Sequence, residues 1–322
     1  MSKGATIPAI EFSHVSKNYG TIEALKDASF RVEKGEIFGY IGPNGAGKTT
    51  SLKILVGLIS NHTGQVRING FLHSENPDIN NLIGYLPQDV GFQEWRTVDH
   101  ALSTFGRLSR MSRKDLTTSI PEVLELVGLS DARKRKIKHL SGGMKQKLKL
   151  AQALLHNPPI LILDEPLGGL DPTSRWQLKN TIRKLSKDTD VTILFSSHIL
   201  DDVEDIATSI GIINRGQIAR VGKPEDLEKE LLVGEGVRVI SPNITGKIKQ
   251  IQKLSLVDSA EVDEKDSKAI IILFKKDVNL DKGLIELMDF FVKEQIVVRD
   301  FNHLKPSLEE VYLKYVMDGV SK

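Results

Sequence analysis

Short apolar runs alternate with helical patterns along the first two thirds of the chain. A stretch around residues 10–32 alternates apolar and polar positions, which is typical of half-buried antiparallel strands. The later runs have the length of strands buried on both faces of a mostly parallel sheet, and they cover residues 36–41, 160–163, 191–195 and 209–213. We therefore predict one α/β domain over residues 1–232, with a mixed sheet core, an antiparallel β subdomain and, over about 89–156, a helical subdomain.

A second, smaller domain is predicted beyond this one. The composition changes after Lys223-Pro224-Glu225, and a helix over 224–232 followed by Gly234 and Gly236 marks a boundary. Strands and helices then follow in the β-α-β-β-α-β order of a ferredoxin-like α+β unit, at residues 237–240, 245–254, 260–263, 269–274, 281–293 and 296–301. We assign residues 233–304 to this accessory domain.

The chain ends in a predicted amphipathic helix over residues 305–322. This helix begins around Pro306 and Ser307, and its apolar side chains fall on one side at helical spacing. They are Leu308, Val311, Tyr312, Tyr315 and Val316.

Composition narrows the class of protein. The 44 basic and 42 acidic residues nearly balance, so there is no general basic excess that would indicate nucleic acid. The densest basic run, residues 133–138, is read as a solvated surface. The chain has no cysteine, which excludes disulfides and thiolate metal sites and suits a reducing compartment. No secretory signal is recognised at the start, and no apolar run reaches the roughly 18 to 20 residues of a membrane span.

A phosphate-binding loop is the first candidate for chemistry. The segment from Gly42 to Thr49 fits GxxxxGK[ST], follows an apolar run and precedes a helical pattern. Its glycines let backbone N–H groups approach a polyanion, Lys48 reaches the β and γ phosphates of a nucleotide, and Thr49 supplies a hydroxyl to Mg²⁺. This loop alone leaves a kinase, a GTPase and a transport ATPase open. The predicted phosphate contacts are Gly42, Pro43, Asn44, Gly45, Ala46, Gly47, Lys48, Thr49 and Thr50.

A second set of polar residues follows the apolar strands. Asp164 and Glu165 end the run at 160–163, where Asp164 is expected to hold Mg²⁺ and Glu165 to polarise the attacking water. Read alone, the pair could be a solvated turn or a helix cap. His198 ends another strand and is expected to hydrogen-bond the γ-phosphate, because ligands bind at the carboxyl ends of such strands. Gln88 could reach both metal and water with its amide.

The segment Leu140-Ser141-Gly142-Gly143-Met144-Lys145-Gln146 resembles the signature peptide of ABC ATPases. The order of the other motifs agrees with that family along the whole first domain. Ser141, Gly142 and Gly143 precede a helical run, so their N–H groups form a second anion-binding helix terminus. The resemblance implies that this terminus serves the ATP of a second subunit, with two chains facing head to tail. The intact catalytic set allows a homodimer, and pairing with a paralogue stays open.

The resemblance implies further roles and partners. Tyr19 matches the aromatic residue that stacks on adenine in the family. Cofactors are expected to be ATP and Mg²⁺. The tail from Phe301 to Tyr312 looks like that of ATP-binding subunits of drug, antibiotic or polysaccharide exporters, which work with a separate transmembrane permease. The chain would then lie on the cytoplasmic face of the membrane, and the permease would dock near Phe92 and Trp95.

Two positions depart from the family pattern. Met144 stands where the signature usually has glutamine, which removes a polar side chain but keeps the backbone donors. Gly168 replaces the serine of the Ser-Gly-Leu-Asp loop, which removes a hydroxyl expected to contact the opposite subunit.

Two rival interpretations would share part of these motifs. A soluble ABC-type ATPase acting on DNA or ribosomes would carry long coiled-coil or zinc-finger insertions, or two cassettes, and this chain has neither. A small-molecule kinase would share only the phosphate loop. The sequence therefore favours the ATP-hydrolysing subunit of a transporter; the transported substrate is read by the permease.

Overall fold

The computed structural model describes residues 7–73, 75–76, 78–89, 91–231, 236–263, 266–275, 278–304 and 308–317. Its internal contacts divide the chain into two compact units. One spans Met1–Pro224 and takes in Tyr312–Lys322, and the other spans Glu225–Val311. The predicted boundary around 232–233, with Gly234, lies outside the described residues, as do Pro306, Ser307 and residues 318–322.

The first unit contains most of the strands and helices. In chain order these are β1 (Ile10–Tyr19), β2 (Ile22–Val32), β3 (Ile37–Ile41), α1 (Lys48–Leu55), β4 (Thr63–Ile68), β5 (Phe71–Leu72), β6 (Ile83–Leu86), α2 (Val98–Leu108), α3 (Arg113–Leu126), α4 (Gly142–Leu154), β7 (Ile160–Leu163), α5 (Pro172–Thr189), β8 (Thr192–Ser197), α6 (Leu200–Ile206), β9 (Ser209–Asn214) and β10 (Gln217–Gly222).

A six-stranded mixed sheet forms the centre of this unit, in the order β10-β9-β3-β8-β7-β6. All its neighbouring pairs are parallel except β9 with the edge strand β10. Every residue of β3 and β7 is buried, as their continuous apolar runs predict. Because parallel strands end on the same side, the loops after β3, β7 and β8 meet at one edge of the sheet.

A four-stranded antiparallel sheet, ordered β2-β1-β4-β5, packs on the central one. An aromatic cluster joins the two sheets: the ring of Phe30 stacks at 5.0 Å on Phe12, at 5.5 Å on Phe38 and at 5.3 Å on Tyr40. Such aromatic pairs bury large apolar areas and prefer these offset geometries. The cluster therefore fixes β1 and β2 against β3, the strand that leads into the phosphate loop.

The stretch after Gln88 is helical and contains α2, α3 and α4. Each helix begins at a residue whose hydroxyl accepts a backbone N–H bond, Thr97, Ser112 and Ser141 respectively. Ser112 and Asp115 form a reciprocal capping box.

The second unit continues with α7 (Pro224–Leu231), β11 (Gly236–Ile240), α8 (Ile248–Ile251), β12 (Val257–Asp263), β13 (Asp266–Phe274), α9 (Leu280–Lys293), β14 (Asp300–Leu304) and the start of α10 (Leu308–Met317). Its sheet has the order β12-β13-β11-β14, with all pairs antiparallel. This is the arrangement of a ferredoxin-like unit, so the predicted fold class is confirmed.

The last strand of this unit lies later than the sequence suggests. Residues 296–301 were expected to be extended, but β14 begins at Asp300. Ile296 instead completes the end of α9: its N–H donates to Phe291 O at 2.9 Å while Gln295 adopts a left-handed φ of 54°. This is a Schellman ending, in which the apolar residue after the helix packs back on it. Ile296 is accordingly buried with Phe291.

Within the described ranges, no helix is both long and apolar enough to cross a bilayer.

Gly84 provides a test of how α4 packs on β6. A methyl group on Gly84 of β6 would overlap the carbonyl oxygen of Ala153 on α4. We expect Gly84→Ala to destabilise the first unit by about 1 to 3 kcal/mol, because backbone rather than a flexible side chain must move. Thermal unfolding followed by circular dichroism measures this. Gly91→Ala is the control because, among the described residues other than its chain neighbours, no atom lies within 4 Å of a methyl there. Equal melting temperatures for both variants would contradict the packing described.

Candidate functional site

The phosphate loop connects β3 to α1. Gly45 and Gly47 adopt φ values of 80° and 109°, which residues with a side chain rarely adopt. Gly42 is required for a different reason, because a methyl group there would overlap the carbonyl oxygen of Ile213. The loop thus has its glycines where the backbone curves or touches a neighbouring strand, and α1 directs its amino terminus into the loop.

Lys48 is held inside this loop. Its side chain is 6% exposed, and Nζ donates to Gly42 O at 2.7 Å and to Pro43 O at 3.3 Å. Nζ also lies 3.6 Å from Glu165 Oε1. Burial lowers the pKa of Lys48, and the carboxylates of Glu165 and Asp164 oppose that shift. The ammonium group is therefore positioned by backbone carbonyls at the centre of the cluster.

Asp164, at the end of β7, is almost fully buried. Its Oδ1 accepts from Ser196 Oγ at 2.7 Å and from Thr49 Oγ1 at 3.2 Å. Among the described residues, Oδ2 has no hydrogen-bond partner although it is buried. A buried carboxylate oxygen without a partner is costly, and carboxylate and hydroxyl oxygens are ligands that Mg²⁺ prefers. The Asp164–Thr49 pair therefore fits a Mg²⁺ ion bound together with a nucleotide.

Glu165 lies between Lys48 and His198. Its backbone has a left-handed φ of 50°, and its N–H donates to Ser196 Oγ at 2.9 Å. Such a φ is unfavourable for a side-chain-bearing residue and is maintained here by the surrounding contacts. Glu165 Oε2 is 2.7 Å from His198 Nδ1, so a hydrogen bond between them requires the proton on Nδ1 when the carboxylate is ionised.

Ser196 connects these groups, although sequence reasoning assigned it no role. Its hydroxyl donates to Asp164 and accepts from the N–H of Glu165. The sequence feature that could have identified Ser196 is a small polar residue inside the buried strand β8. This strand pairs with β7, which is followed by the two carboxylates.

The signature segment starts α4 and abuts another helix start. Ser141 Oγ accepts from Met144 N at 3.2 Å, so methionine at that position preserves the cap. A methyl group on Gly143 would overlap Ser174 Oγ, near the start of α5, which is capped by Asp171. The bonds from Ser174 lower the pKa of the Asp171 carboxyl.

Gln146 links α4 to the loop that begins with Asp164 and Glu165, which we call the carboxylate loop. Sequence reasoning missed this second contact. Its Nε2 donates to Pro166 O at 2.7 Å, directly after Glu165. This bond ties the signature helix to the loop that carries the proposed base.

The remaining predicted residues lie apart from this cluster. Across the described chain, no hydrogen bond joins Gln88, Tyr19 or Ser141 to the phosphate loop or the carboxylates. Gln88 is exposed, and its carbonyl accepts from Lys149 Nζ at 3.2 Å. Tyr19 is 47% exposed, with Lys17 Nζ 4.9 Å from its ring centroid. The single chain thus gathers Lys48, Thr49, Asp164, Glu165 and His198, and leaves the other three open to a ligand or a second chain.

Comparisons with known proteins agree with this arrangement. A family model described as ABC transporter matches residues 25–168. An uncharacterized ABC transporter ATP-binding protein of Bacillus subtilis, YxlF, is 36% identical over 95% of this chain and 99% of its own length. The linearmycin resistance ATP-binding protein LnrL of the same species is 30% identical over 94% of this chain and 97% of its own length.

Solved structures give the same result. One described as the ATP-binding subunit of an ABC transporter is 29% identical with a TM-score of 0.61, covering 69% of this chain and 92% of that one. A dimeric ATP-binding cassette in a post-hydrolysis state, bound to ADP and Pi, is 25% identical with a TM-score of 0.60, covering 66% and 98%. The chain belongs to the ABC transporter family, as one of its ATP-binding and ATP-hydrolysing proteins.

Proposed function

We propose that this chain hydrolyses MgATP at the Lys48–Glu165 cluster and thereby drives export through a separate transmembrane permease. The observation that carries the proposal is a set of contacts of 2.7 to 3.6 Å at one edge of the sheet. They join Lys48, Glu165 and His198 to one another and, through Ser196, to Asp164 and Thr49. A phosphate-binding loop, a basic group and two carboxylates at this edge are the parts that ATP hydrolysis requires.

The chemical step is in-line attack of water on the γ-phosphorus: the bond from the water oxygen to phosphorus forms while the bond to the bridging β-phosphate oxygen breaks and ADP leaves. Glu165 orients the water and accepts its proton, while Lys48 and His198 donate hydrogen bonds to the phosphoryl oxygens as their charge develops. In the described structure, Lys48 Nζ donates to Gly42 O and lies 3.6 Å from Glu165 Oε1, and His198 Nδ1 lies 2.7 Å from Glu165 Oε2. We propose that the γ-phosphate draws both donors away from Glu165 when it binds. This exchange leaves the Glu165 carboxylate available to the water.

Mg²⁺, held by Thr49 and Asp164, would supply positive charge to the β- and γ-phosphate oxygens. The amide of Gln88 is proposed to approach the same ion and the water. Since Gln88 follows β6 and precedes the helical subdomain, movement of that subdomain would change how far the amide reaches.

The active unit is proposed to be a head-to-tail homodimer. The start of α4 carries Ser141, Gly142 and Gly143. In the described structure, the N–H groups of this helix start make no hydrogen bond to the phosphate loop of their own chain. In the dimer they would bind the γ-phosphate held by the partner, and Tyr19 would stack on the adenine. The dimeric cassette described above supports the dimeric state.

The permease is proposed to dock on the helical subdomain, where the side chain of Trp95 is 63% exposed. Arg96 lies 4.8 Å from its ring, and nearby Phe92 packs edge-on against Phe105 at 5.6 Å. This aromatic surface lies close in sequence to Gln88. Docking there would therefore change how far the Gln88 amide reaches into the ATP site. The chain would then operate on the cytoplasmic face of a membrane. Export is supported by the full-length similarity to the linearmycin resistance protein.

Replacing the proposed base should separate binding from hydrolysis. Glu165→Gln keeps the size of the side chain but removes the proton acceptor, so ATP hydrolysis should fall roughly 10²- to 10⁴-fold. ATP binding should persist, and the variant should accumulate as an ATP-bound dimer. Phosphate release and size-exclusion chromatography measure the two effects. Glu261→Gln, an exposed residue of the second unit, is the control. Turnover equal to wild type in Glu165→Gln would eliminate this residue as the base.

Changing the aromatic surface should affect coupling alone. Trp95→Ala should leave the basal ATPase rate within about twofold, because the side chain is exposed, and should abolish stimulation by the proposed permease, which would be isolated as a membrane protein that co-purifies with this chain. The assay compares ATPase rates with and without that protein in liposomes. Phe71→Ala, which removes an aromatic side chain that is 50% exposed on β5, should retain stimulation. A parallel loss of basal and stimulated rates in Trp95→Ala would assign Trp95 a structural role instead.

A further inference from the structure

The turn between β9 and β10 connects the phosphate loop to the end of the chain. Asn214 pairs with Gln217 across this hairpin, and the two residues between them, Arg215 and Gly216, have φ values of 47° and 81°. Two consecutive left-handed residues define a type I′ turn, the geometry that fits the twist of a two-residue hairpin. The backbone of the turn is therefore well defined, so a contact on one side of the turn also fixes the position of the residues on its other side.

On one side, this turn contacts the phosphate loop. The N–H of Gly216 donates to Ala46 O at 2.9 Å, and its carbonyl accepts from Lys26 N at 2.8 Å. Ile213 precedes Asn214 at the start of this turn, and its carbonyl oxygen would overlap a methyl group on Gly42. The loop is thus supported by β9 and its turn at both Gly42 and Ala46.

The bond to Ala46 bears directly on nucleotide binding. The carbonyl of Ala46 and the N–H of Gly47 belong to one planar trans peptide, so they point in opposite directions. A bond that holds the carbonyl towards Gly216 therefore orients the Gly47 N–H towards the other side of the loop. Backbone N–H groups of this loop are the donors that cradle phosphates.

On the other side, the turn contacts the last helix. Asn214 Nδ2 donates to Val316 O at 3.0 Å. Val316 lies in the last turn of α10, where carbonyl groups have no partner within the helix. Tyr315 from the same turn lines a cavity of about 310 Å³ together with Asn214 and Lys26. The end of α10, which belongs to the first unit, is thus held by the side chain of a residue in the turn that supports the phosphate loop.

We propose that Asn214 is a positioning residue for ATP: by binding the end of α10 it holds the 214–217 turn, and through Gly216 the phosphate loop, in the nucleotide-binding geometry. The inference rests on the proposed ATPase function and adds a dependence of ATP affinity on the carboxyl-terminal helix. Asn214 touches no substrate in this scheme; it acts through the Ala46–Gly47 peptide.

The test is the affinity of the full-length chain for MgATP, measured by isothermal titration calorimetry together with KM and kcat. Asn214→Ala removes the donor, and we expect Kd and KM to rise about threefold to tenfold, the effect of one lost hydrogen bond, with kcat within about twofold. Leu313→Pro interrupts α10 one turn before its end and should raise Kd to a similar degree. If both act through one contact, the double variant should equal the weaker-binding single variant.

Matched controls exclude a general loss of structure. Leu313→Ala retains the helix, and Asn302→Ala removes an exposed asparagine side chain of the second unit; both should bind MgATP like wild type. Wild-type Kd in both Asn214→Ala and Leu313→Pro, or a double variant in which their effects add fully, would overturn the proposal. An unchanged Kd with a lower kcat would also overturn it. Failure of the wild-type chain to bind MgATP would instead contradict the proposed function itself.

Discussion

Parallel pairing of β7 with β8 places Ser196 next to the carboxylates that follow Leu163, and this placement organises the site. The Ser196 hydroxyl bonds Asp164 on one side and the N–H of Glu165 on the other. Glu165 thereby adopts a left-handed backbone and turns its side chain towards Lys48 and His198. A displacement of either strand by one residue would separate the acidic groups from the phosphate loop, since the register fixes which residues end together.

The buried charges in this cluster compensate one another only in part. Lys48 is stabilised by two backbone carbonyls and by Glu165, whereas Asp164 retains one oxygen without a protein partner among the described residues. The cluster is therefore arranged for a ligand that brings both negative and positive charge, which is the character of MgATP. The start of α4 provides further N–H donors on a separate helix, and Gln146 links that helix to the carboxylate loop.

Much of this could be predicted from the sequence because the relevant signals are local. The glycines of 42–47, the apolar run that ends at Asp164 and the Ser141 cap each carry their own pattern. The contacts that sequence reasoning missed join residues distant in the chain: Ser196 lies 32 residues after Asp164, and Val316 lies 102 residues after Asn214. The error at Ile296 has the same origin, since the apolar run Ile296-Val297-Val298 can belong to a strand or follow the end of a helix, and only packing of Ile296 on Phe291 decides between them.

In the proposed dimer, ATP lies between the phosphate loop of one chain and the signature helix of another. The most direct test of this arrangement is the structure of the wild-type chain trapped with Mg²⁺, ADP and vanadate. The account predicts two chains head to tail, with vanadate within hydrogen-bond distance of Lys48 and His198 of one chain and of Ser141 of the other. Vanadate bound in a single chain, with Ser141 left in solvent, would contradict it.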